Sequence, residues 1–505
     1  MITRLAAVVL AAAAVLAALF ACTPASPSCD PPFTLCSATV CANLDNDAQH
    51  CGTCGGSCSS GQTCVSGKCA CPAGTFPCNG ICVDVTSDSK NCGGCGISCQ
   101  GQMCIDKQCG CPAGGCVCPK GQSLINGACS ATVFATCFNS GELVALDDDL
   151  NPLPSSTLVG QGPQSIGVYG GRVLVADGLD NALYRFDPQE IPVLKETGSD
   201  KLDKQANQVV IHGDRAYVVA TGDNLVQVID LSKTAPVSAA SVERVIDEIP
   251  TSPNASPGFA TFVGDRLYLS LTGNCLDPTA GDTAGNRVLE IDVSGAKGKV
   301  TRELAFSAAD YDKDISAAAN SPRPAGLAAV GTKLFVAIGN LDPGCLGAAG
   351  PGYLAVVDTS AAPLVSHALR LPDQCRNPTY LVAGTDRVYV ACSGAYGFGA
   401  DVEESLVVVK ASDESLVTTT TFARCADPSA KGPNACKTVV PGRLALHGSQ
   451  LLITDSNSGR LLVTDLDGHV PDVFLSGVQV CPLRCPGGDT SAQCYQLTSD
   501  VAVIR

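Results

Sequence analysis

One pattern of apolar and polar positions recurs from about residue 131 to the end of the chain. In Gly170 to Asp187, GGRVLVADGLDNALYRFD, an aliphatic run leads into Gly178 and Asn181, and a second apolar run follows. Short β-rich runs separated by glycine, asparagine and aspartate are typical of a strand, a turn and a second strand. Each copy of the pattern therefore predicts an antiparallel hairpin.

We count seven copies, about 54 residues each, close to the roughly 40–50-residue period of propeller repeats. Later copies include His212 to Asp230 and His447 to Asp465, and a short apolar strand usually precedes them. The first copy, Thr132 to Asp147, lacks that strand, and the last residues, Ser499 to Arg505, can supply it.

One such sheet cannot bury both of its faces, whereas copies stacked in a ring bury them and leave short edges. The phrases HGDRAYVV and LVQVID resemble those of the YVTN and NHL propeller families. We therefore predict an all-β chain whose residues 131–505 form a seven-bladed β-propeller closed by the C-terminal strand. The alternatives are an open β-sandwich and a six-bladed ring. The resemblance says little about function, because this fold carries many activities.

The first 21 residues are typical of an export signal. Arg4 precedes an apolar run from Leu5 to Ala21, and Cys22 follows. LFAC, which ends at Cys22, resembles the lipoprotein box of bacteria, and the resemblance implies that this cysteine is diacylated and becomes the new N-terminus. Two acyl chains suffice for stable membrane anchoring. A plain signal peptide or a membrane anchor is the alternative.

Thr23 stands where inner-membrane lipoproteins usually carry aspartate, so we expect the outer membrane or the cell surface. Residues 22–28 read as a short tether.

Cysteine usage also predicts export. Of the 31 cysteines, 20 lie between residues 29 and 129, which predicts a small, mostly irregular, disulfide-rich module. Two units are visible. The first contains Cys36, Cys41, Cys51, Cys54, Cys58, Cys64, Cys69 and Cys71, and the second contains Cys78, Cys82, Cys92, Cys95, Cys99, Cys104, Cys109 and Cys111.

The stretch from Cys78 to Cys99 resembles a secreted, disulfide-bonded unit found in bacterial surface proteins and in the plant stigma-specific family. Cys51-x-x-Cys54 and Cys92-x-x-Cys95 also have zinc-ligand spacing. The density of further cysteines favours disulfides over zinc.

Ten cysteines fall in the predicted propeller. Cys425 and Cys436 bracket a short insertion, and we expect them to pair. We also expect Cys137 in the first copy to lock the ring by pairing with one of three cysteines near the closing strand. These are Cys481, Cys485 and Cys494.

The formal net charge of −16 argues against nucleic acid as a partner, because nucleic-acid binding needs clustered Lys and Arg. It also argues against direct docking on anionic lipid headgroups. Solvation explains the acidity best, and attraction of Ca²⁺ is the minor alternative; no other cofactor is predicted.

The sequence contains no G-x-S-x-G elbow, P-loop, H-E-x-x-H or EF-hand motif, and no catalytic residue is predicted. We place the candidate ligand site at the central mouth, where each innermost strand begins. The candidates are Gln164, Asn207, Arg323, Asn377, Arg443 and Asp500. Arg323 and Arg376 are candidates for an anion clamp, but the favoured interpretation is that they satisfy loop backbones and one another.

These observations favour an exported, lipid-anchored surface protein in which a disulfide-rich stalk presents a binding propeller. Its expected partner is another protein or an envelope polymer, bound at the Gly-, Pro- and Cys-rich rim insertions. The alternative is a metal-dependent propeller enzyme of the lactonase or lyase type, and a third hypothesis is a structural coat component.

Overall fold

The computed structural model describes residues 28–505 except 38, 60, 79, 89, 96–102, 106, 111–122, 126–127, 154–155, 189–193, 233–244, 275–283, 315–316, 318, 346, 395–403, 426–435, 457, 470–476, 482–497 and 505. The chain divides into two compact units, Met1–Val117 and Cys118–Arg505. No helix within the described residues is long and apolar enough to cross a membrane. Cys22 lies outside the described residues, so its lipidation stays a prediction.

The first unit consists of short two-stranded hairpins held by disulfides. Its strands are β1 (Thr34–Ser37), β2 (Val40–Ala42), β3 (Thr63–Val65), β4 (Lys68–Ala70), β5 (Phe76–Cys78), β6 (Ile81–Val83), β7 (Met103–Ile105) and β8 (Gln108–Gly110). Its described disulfides are Cys29–Cys41, Cys36–Cys54, Cys51–Cys64, Cys58–Cys69, Cys71–Cys82, Cys78–Cys95 and Cys92–Cys104.

The pairing repeats, and it corrects the unit boundaries predicted from spacing. Cys29–Cys41 corresponds to Cys71–Cys82, so Cys29 belongs to the first unit and Cys71 to the second. Spacing alone missed this because the first disulfide of each unit begins at a cysteine upstream of the repeated spacing. These cysteines are Cys29 in the first unit and Cys71 in the second. The four cysteines with zinc-like spacing bond to other partners, whereas Cys99, Cys109 and Cys111 lie outside the described side chains.

The second unit opens with the hairpin β9 (Ser123–Ile125) and β10 (Ala128–Ser130), and seven four-stranded antiparallel sheets follow. Blade 1 contains β11 (Val133–Cys137), β12 (Glu142–Leu146) and β13 (Thr157–Leu158); blade 2 contains β14 (Pro163–Tyr169), β15 (Arg172–Asp177), β16 (Ala182–Asp187) and β17 (Leu194–Lys201); blade 3 contains β18 (Ala206–His212), β19 (Arg215–Ala220), β20 (Leu225–Asp230) and β21 (Val245–Pro250). Blade 4 contains β22 (Pro257–Val263), β23 (Arg266–Leu271), β24 (Arg287–Asp292) and β25 (Lys299–Ala305), and the 3-10 helix Ala308–Asp310 follows it; blade 5 contains β26 (Pro324–Val330), β27 (Lys333–Ile338), β28 (Tyr353–Asp358) and β29 (Val365–Arg370). Blade 6 contains β30 (Pro378–Ala383), β31 (Arg387–Cys392), β32 (Ser405–Lys410) and β33 (Leu416–Thr421); the hairpin β34 (Ala423–Cys425) and β35 (Cys436–Thr438) follows; blade 7 contains β36 (Pro441–His447), β37 (Gln450–Asp455), β38 (Arg460–Asp465) and β39 (Val478–Gln479); β40 (Thr498–Val503) ends the series.

The ring closes as the sequence predicts. β40 joins blade 1 as its innermost strand, antiparallel to β11, with Val133 opposite Val503 and Ala135 opposite Val501. Cys137, at the end of β11, is bonded to Cys481 with a Cα–Cα distance of 5.5 Å. In the β34–β35 hairpin Cys425 stands opposite Cys436 in the backbone register, although the two side chains lie outside the described part.

The apolar core lies between neighbouring blades. Seven clusters of buried residues, one at each blade interface, account for it within the described chain. At the closing interface Leu452 and Leu461 of blade 7 pack with Ala135, Leu146 and Val501 of blade 1. The apolar positions that alternate along each strand therefore fill both faces of every blade.

Asparagines in the left-handed conformation connect successive blades. Asn224 and Asn286 each have φ of 55° and precede the third strand of blades 3 and 4. The side-chain oxygen of Asn224 accepts a hydrogen bond from the Ser256 amide at 3.0 Å, and that of Asn286 accepts one from the Arg323 amide at 2.8 Å. Both donors immediately precede the inner strand of the next blade. One residue thus shapes a turn, for which asparagine is well suited, and fixes the start of the following blade.

Removing the closing disulfide with Cys137→Ala and Cys481→Ala is expected to lower the free energy of unfolding substantially, toward the upper end of the roughly 2–5 kcal/mol typical of disulfides. The bond spans 344 residues, whereas Cys375–Cys392 spans 17, and loop-closure entropy grows with loop length. The matched control is Cys375→Ala with Cys392→Ala, measured by guanidinium unfolding of the oxidised chain. A larger loss in the control would contradict this role of Cys137–Cys481.

Candidate functional site

The inner strands of the seven blades begin alike. Five of them start with proline, which suits the first residue of a strand because proline has no N–H to donate. These prolines are Pro163, Pro257, Pro324, Pro378 and Pro441. In all seven blades the pairing between the inner strand and the next strand changes register beside the first residue of the inner strand, as expected for a β-bulge. Bulges re-aim side chains and are common beside functional sites.

The third residues of the seven inner strands line one cavity. They are Ser165, Gln208, Phe259, Gly326, Tyr380, Arg443 and Asp500, one from each blade. The cavity has a volume of 200 Å³ and also meets the aliphatic fourth residues of most of these strands. Every blade thus contributes to one site on the central channel.

Arg443 joins four blades across the channel. Its guanidinium carbon lies 4.8 Å from the ring centre of Phe259 and 5.1 Å from that of Tyr380. Nη2 donates a hydrogen bond of 3.0 Å to the Asn207 carbonyl of blade 3. Each cation–π contact contributes about 0.5–2 kcal/mol, depending on how far it is desolvated. The aromatic rings therefore hold the cation in place without neutralising it.

Two aromatic rings from non-adjacent blades meet in the channel, and Gly326 belongs to the blade between them. Phe259 and Tyr380 belong to blades 4 and 6, and their centres are 5.4 Å apart in an edge-to-face arrangement. Blade 5 lies between them and contributes Gly326 at the same level. A Cβ there would lie 2.6 Å from the Thr379 carbonyl oxygen and 2.9 Å from the Leu381 nitrogen. Glycine at this position therefore permits the close backbone approach of the inner strands of blades 5 and 6.

Asp500 provides a buried carboxylate from blade 1, with 7% of the residue exposed. It accepts hydrogen bonds of 2.8 Å from the amides of Ile166 and Val501. Burial raises the pKa of the Asp500 carboxyl above its ordinary value, while Arg443, these amides and the Ser165 hydroxyl oppose the rise. No ion pair joins Arg443 to Asp500 among the described contacts, so opposite charges line one cavity without pairing directly.

A second cavity of 490 Å³ continues along the channel and is lined by blades 2 to 6. Its walls are the middle residues of the inner strands, such as Val168, Ile211, Phe262 and Ala329. Gln208 borders both cavities, and its Oε1 accepts a hydrogen bond of 2.7 Å from the Ala260 amide. The polar and charged side chains are therefore concentrated at the level of the third residues.

The six candidates predicted for the mouth are distributed over different positions. Arg443 and Asp500 line the cavity. Asn207 contributes its carbonyl to Arg443, and its side-chain nitrogen donates to the Gly258 carbonyl at 2.6 Å. Gln164 is half-buried, and a Cβ at Gly178 would meet its side chain.

Arg323 and Asn377 lie within the channel wall, 1% and 5% exposed, with φ of 51° and 48°. The Arg323 guanidinium donates to the carbonyls of Thr272 and Pro343 at 3.1 and 3.0 Å. Arg376 donates instead to the Asp314 carboxylate at 2.8 Å. The described partners of the two guanidiniums are therefore different groups, and the anion clamp stays a prediction.

Ser165, Gln208, Phe259, Gly326 and Tyr380 were not among the predicted residues. Aligning the inner strands on their first prolines and reading the third position would have identified Ser165, Phe259, Gly326 and Tyr380. Gln208 is the third residue of β18, which begins with Ala206, so this alignment does not find it.

No family model matches the chain, and no curated protein matches it. Similar solved structures include a functionally unknown protein from Desulfotomaculum acetoxidans, at 14% identity and a TM-score of 0.48, covering 74% of this chain and 99% of the other. A proposed 6-phosphogluconolactonase from Bacteroides uniformis has 11% identity and a TM-score of 0.49, with coverage of 74% and 99%. Virginiamycin B lyase from Staphylococcus aureus has 12% identity and a TM-score of 0.41, with coverage of 61% and 82%. Likeness at this level does not extend to an activity.

Asp500→Asn is expected to change how stability depends on pH. Folding raises the pKa of Asp500 above 3.8. At pH values between 3.8 and this raised pKa, the folded chain therefore binds more protons than the unfolded chain. The free energy of unfolding of the wild type therefore falls, relative to that of Asp500→Asn, as pH rises through this window. Urea unfolding of both proteins in steps upward from pH 4 measures this difference, and a difference that stays constant or grows would contradict the assignment.

Proposed function

We propose that this chain is an exported, lipid-anchored binding protein whose propeller holds a small ligand in its central channel. The observation that carries the proposal is the set of seven third residues, one from each inner strand, that surround one cavity. Arg443 and Asp500 are its two charged members. Cavities that combine a few convergent polar groups with aromatic walls are the usual form of a small-molecule site.

The disulfides support the exported part of the proposal. Bonds such as Cys51–Cys64 and Cys137–Cys481 form and persist in oxidising compartments outside the cytosol. The first unit has few buried apolar residues beyond its cysteines, and its largest described core cluster consists of Cys92 and Cys104. Disulfides therefore replace a core in this unit, which suits a spacer between a membrane anchor and a binding domain.

The chemistry of the ring favours binding over catalysis. A metal-dependent lactonase or lyase needs several carboxylate, imidazole or amide ligands around one ion. The seven residues offer one carboxylate, Asp500, one side-chain amide, Gln208, and no imidazole. The group of metal-ligand side chains found among the described residues is Cys51, Cys58 and Cys69, and these are bonded in disulfides.

A macromolecular partner at the rim stays a prediction. The insertions expected to contact a protein or an envelope polymer are 274–286, 340–352, 393–404 and 423–437, and each of the four includes residues outside the described part. The central channel, in contrast, is described around its full circumference.

Arg443→Gln is expected to abolish capture of the channel ligand. The oxidised full-length mature chain is incubated with the small-molecule fraction of an envelope extract and analysed by native mass spectrometry. We expect an added mass on the wild type and on Arg370→Gln, but not on Arg443→Gln. Arg370 is the matched control, because it carries the same charge on the outer strand of blade 5 and is 49% exposed in its side chain. An added mass that persists in Arg443→Gln, or no added mass on the folded wild type, would contradict a channel site.

Cys22→Ala is expected to remove the lipid. In cells fed labelled fatty acid, the wild type and the neighbouring control Thr23→Ala incorporate label and partition into detergent, because both retain the Cys22 thiol. The Cys22→Ala protein should remain unlabelled. Label on Cys22→Ala would refute lipidation at this position.

A further inference from the structure

The cavity of the third residues holds two opposite charges that are kept apart. Arg443 comes from blade 7 and Asp500 from blade 1, which are neighbours in the ring, and both line the 200 Å³ cavity. The described contacts of Arg443 are aromatic faces and one carbonyl, whereas those of Asp500 are amides and a hydroxyl. Neutral groups therefore make the direct contacts to each charge, while Arg443 acts on Asp500 through space and favours its ionised form.

Arg443 retains hydrogen-bonding capacity. A guanidinium has five N–H donors in a planar fork that matches a carboxylate. The described hydrogen bonds of Arg443 use one donor, toward Asn207, while Phe259 and Tyr380 contact the face of the group. A fork held in this way is preorganised for a carboxylate that enters the cavity.

Asp500 has the complementary capacity. An ionised carboxylate offers about four acceptor positions on two oxygens. The amides of Ile166 and Val501 and the hydroxyl of Ser165 occupy part of that capacity. A ligand ammonium that reached Asp500 would add an acceptor interaction and an opposite charge in a buried environment, where electrostatic interactions are stronger than in water.

Size and charge together define a ligand class. A volume of 200 Å³ lies below the roughly 300 Å³ at which drug-sized ligand pockets begin. An anion alone would meet the carboxylate of Asp500, and a cation alone would meet the guanidinium of Arg443. A molecule that carries both charges a few bonds apart satisfies both.

We propose that the central cavity binds a small zwitterion of the free α-amino acid class, with its carboxylate on Arg443 and its ammonium on Asp500. Gln208, Phe259 and Tyr380 also line the cavity and would border the ligand's side chain. The inference rests on the proposed function, because it assigns the ligand of the same channel site.

The test is isothermal titration calorimetry of the oxidised full-length chain with glycine, L-alanine and L-serine. Acetate and ethylamine, each of which carries only one of the two charges, are titrated for comparison as half-probes. We expect at least one amino acid to bind, and each half-probe to bind at least tenfold more weakly than that amino acid. Acetate or ethylamine binding as tightly as every amino acid would overturn the zwitterion assignment, and so would the absence of binding by all three amino acids. This comparison uses the wild type alone and does not depend on the folding of a variant.

Arg443→Gln and Asp500→Asn then test the two ends of the ligand. Each is expected to weaken binding of the amino acid at least tenfold. The matched controls are Arg370→Gln and Asp373→Asn, because this pair forms an exposed ion pair of 2.6 Å on blade 5, and both should bind like the wild type. Unchanged binding in folded Arg443→Gln or Asp500→Asn would overturn the assignment. A non-zwitterionic mass captured from extract and lost in Arg443→Gln would refute the amino-acid class while leaving a channel site intact.

Discussion

The propeller depends on the antiparallel pairing of β11 with β40. Without β40 blade 1 has no innermost strand, the interface with blade 7 loses Val501, and the channel wall is incomplete. The same strand carries Asp500. Ring closure and the site are therefore coupled, because the carboxylate reaches the cavity only when the two ends of the second unit meet. The Cys137–Cys481 bond lies at the same corner and restricts the separation of those ends.

Much of this fold could be predicted from local sequence. The run from Gly170 to Asp187 contains β15, the turn at Gly178 to Asn181, and β16, as alternation and turn residues predict. Seven copies predict seven blades, and the strand missing from the first copy identifies β40 as its replacement. These inferences succeed because strands and tight turns are determined by neighbouring residues. Disulfide partners are determined by the folded path, so spacing identified the repeat but assigned Cys29 and Cys71 to the wrong side of its boundaries.

The site was harder to predict for two physical reasons. The first is that the third residue of each inner strand lines the cavity, next to the register shift at the start of the strand, whereas four of the six candidates lie one or two residues earlier or in the preceding loop. Arg323, just before β26, adopts the left-handed conformation and directs its guanidinium to backbone carbonyls in the wall. The second is that Phe259 and Tyr380 meet over a glycine of the intervening blade. That contact joins residues far apart in sequence, and periodicity carries no information about it.

The arrangement of charges in the channel is costly if its only role is stability. Taking a carboxylate and a guanidinium out of water is unfavourable unless they pair well, and apolar residues in their place are often neutral or stabilising. Arg443 and Asp500 belong to adjacent blades and line the same cavity, yet neutral partners hold each of them. Local choices that conflict with stability are expected where a protein has a functional requirement. A ligand that bears both charges would pair its carboxylate with Arg443 and its ammonium with Asp500. The ligand would then supply the ion pairs that the two side chains do not make with each other.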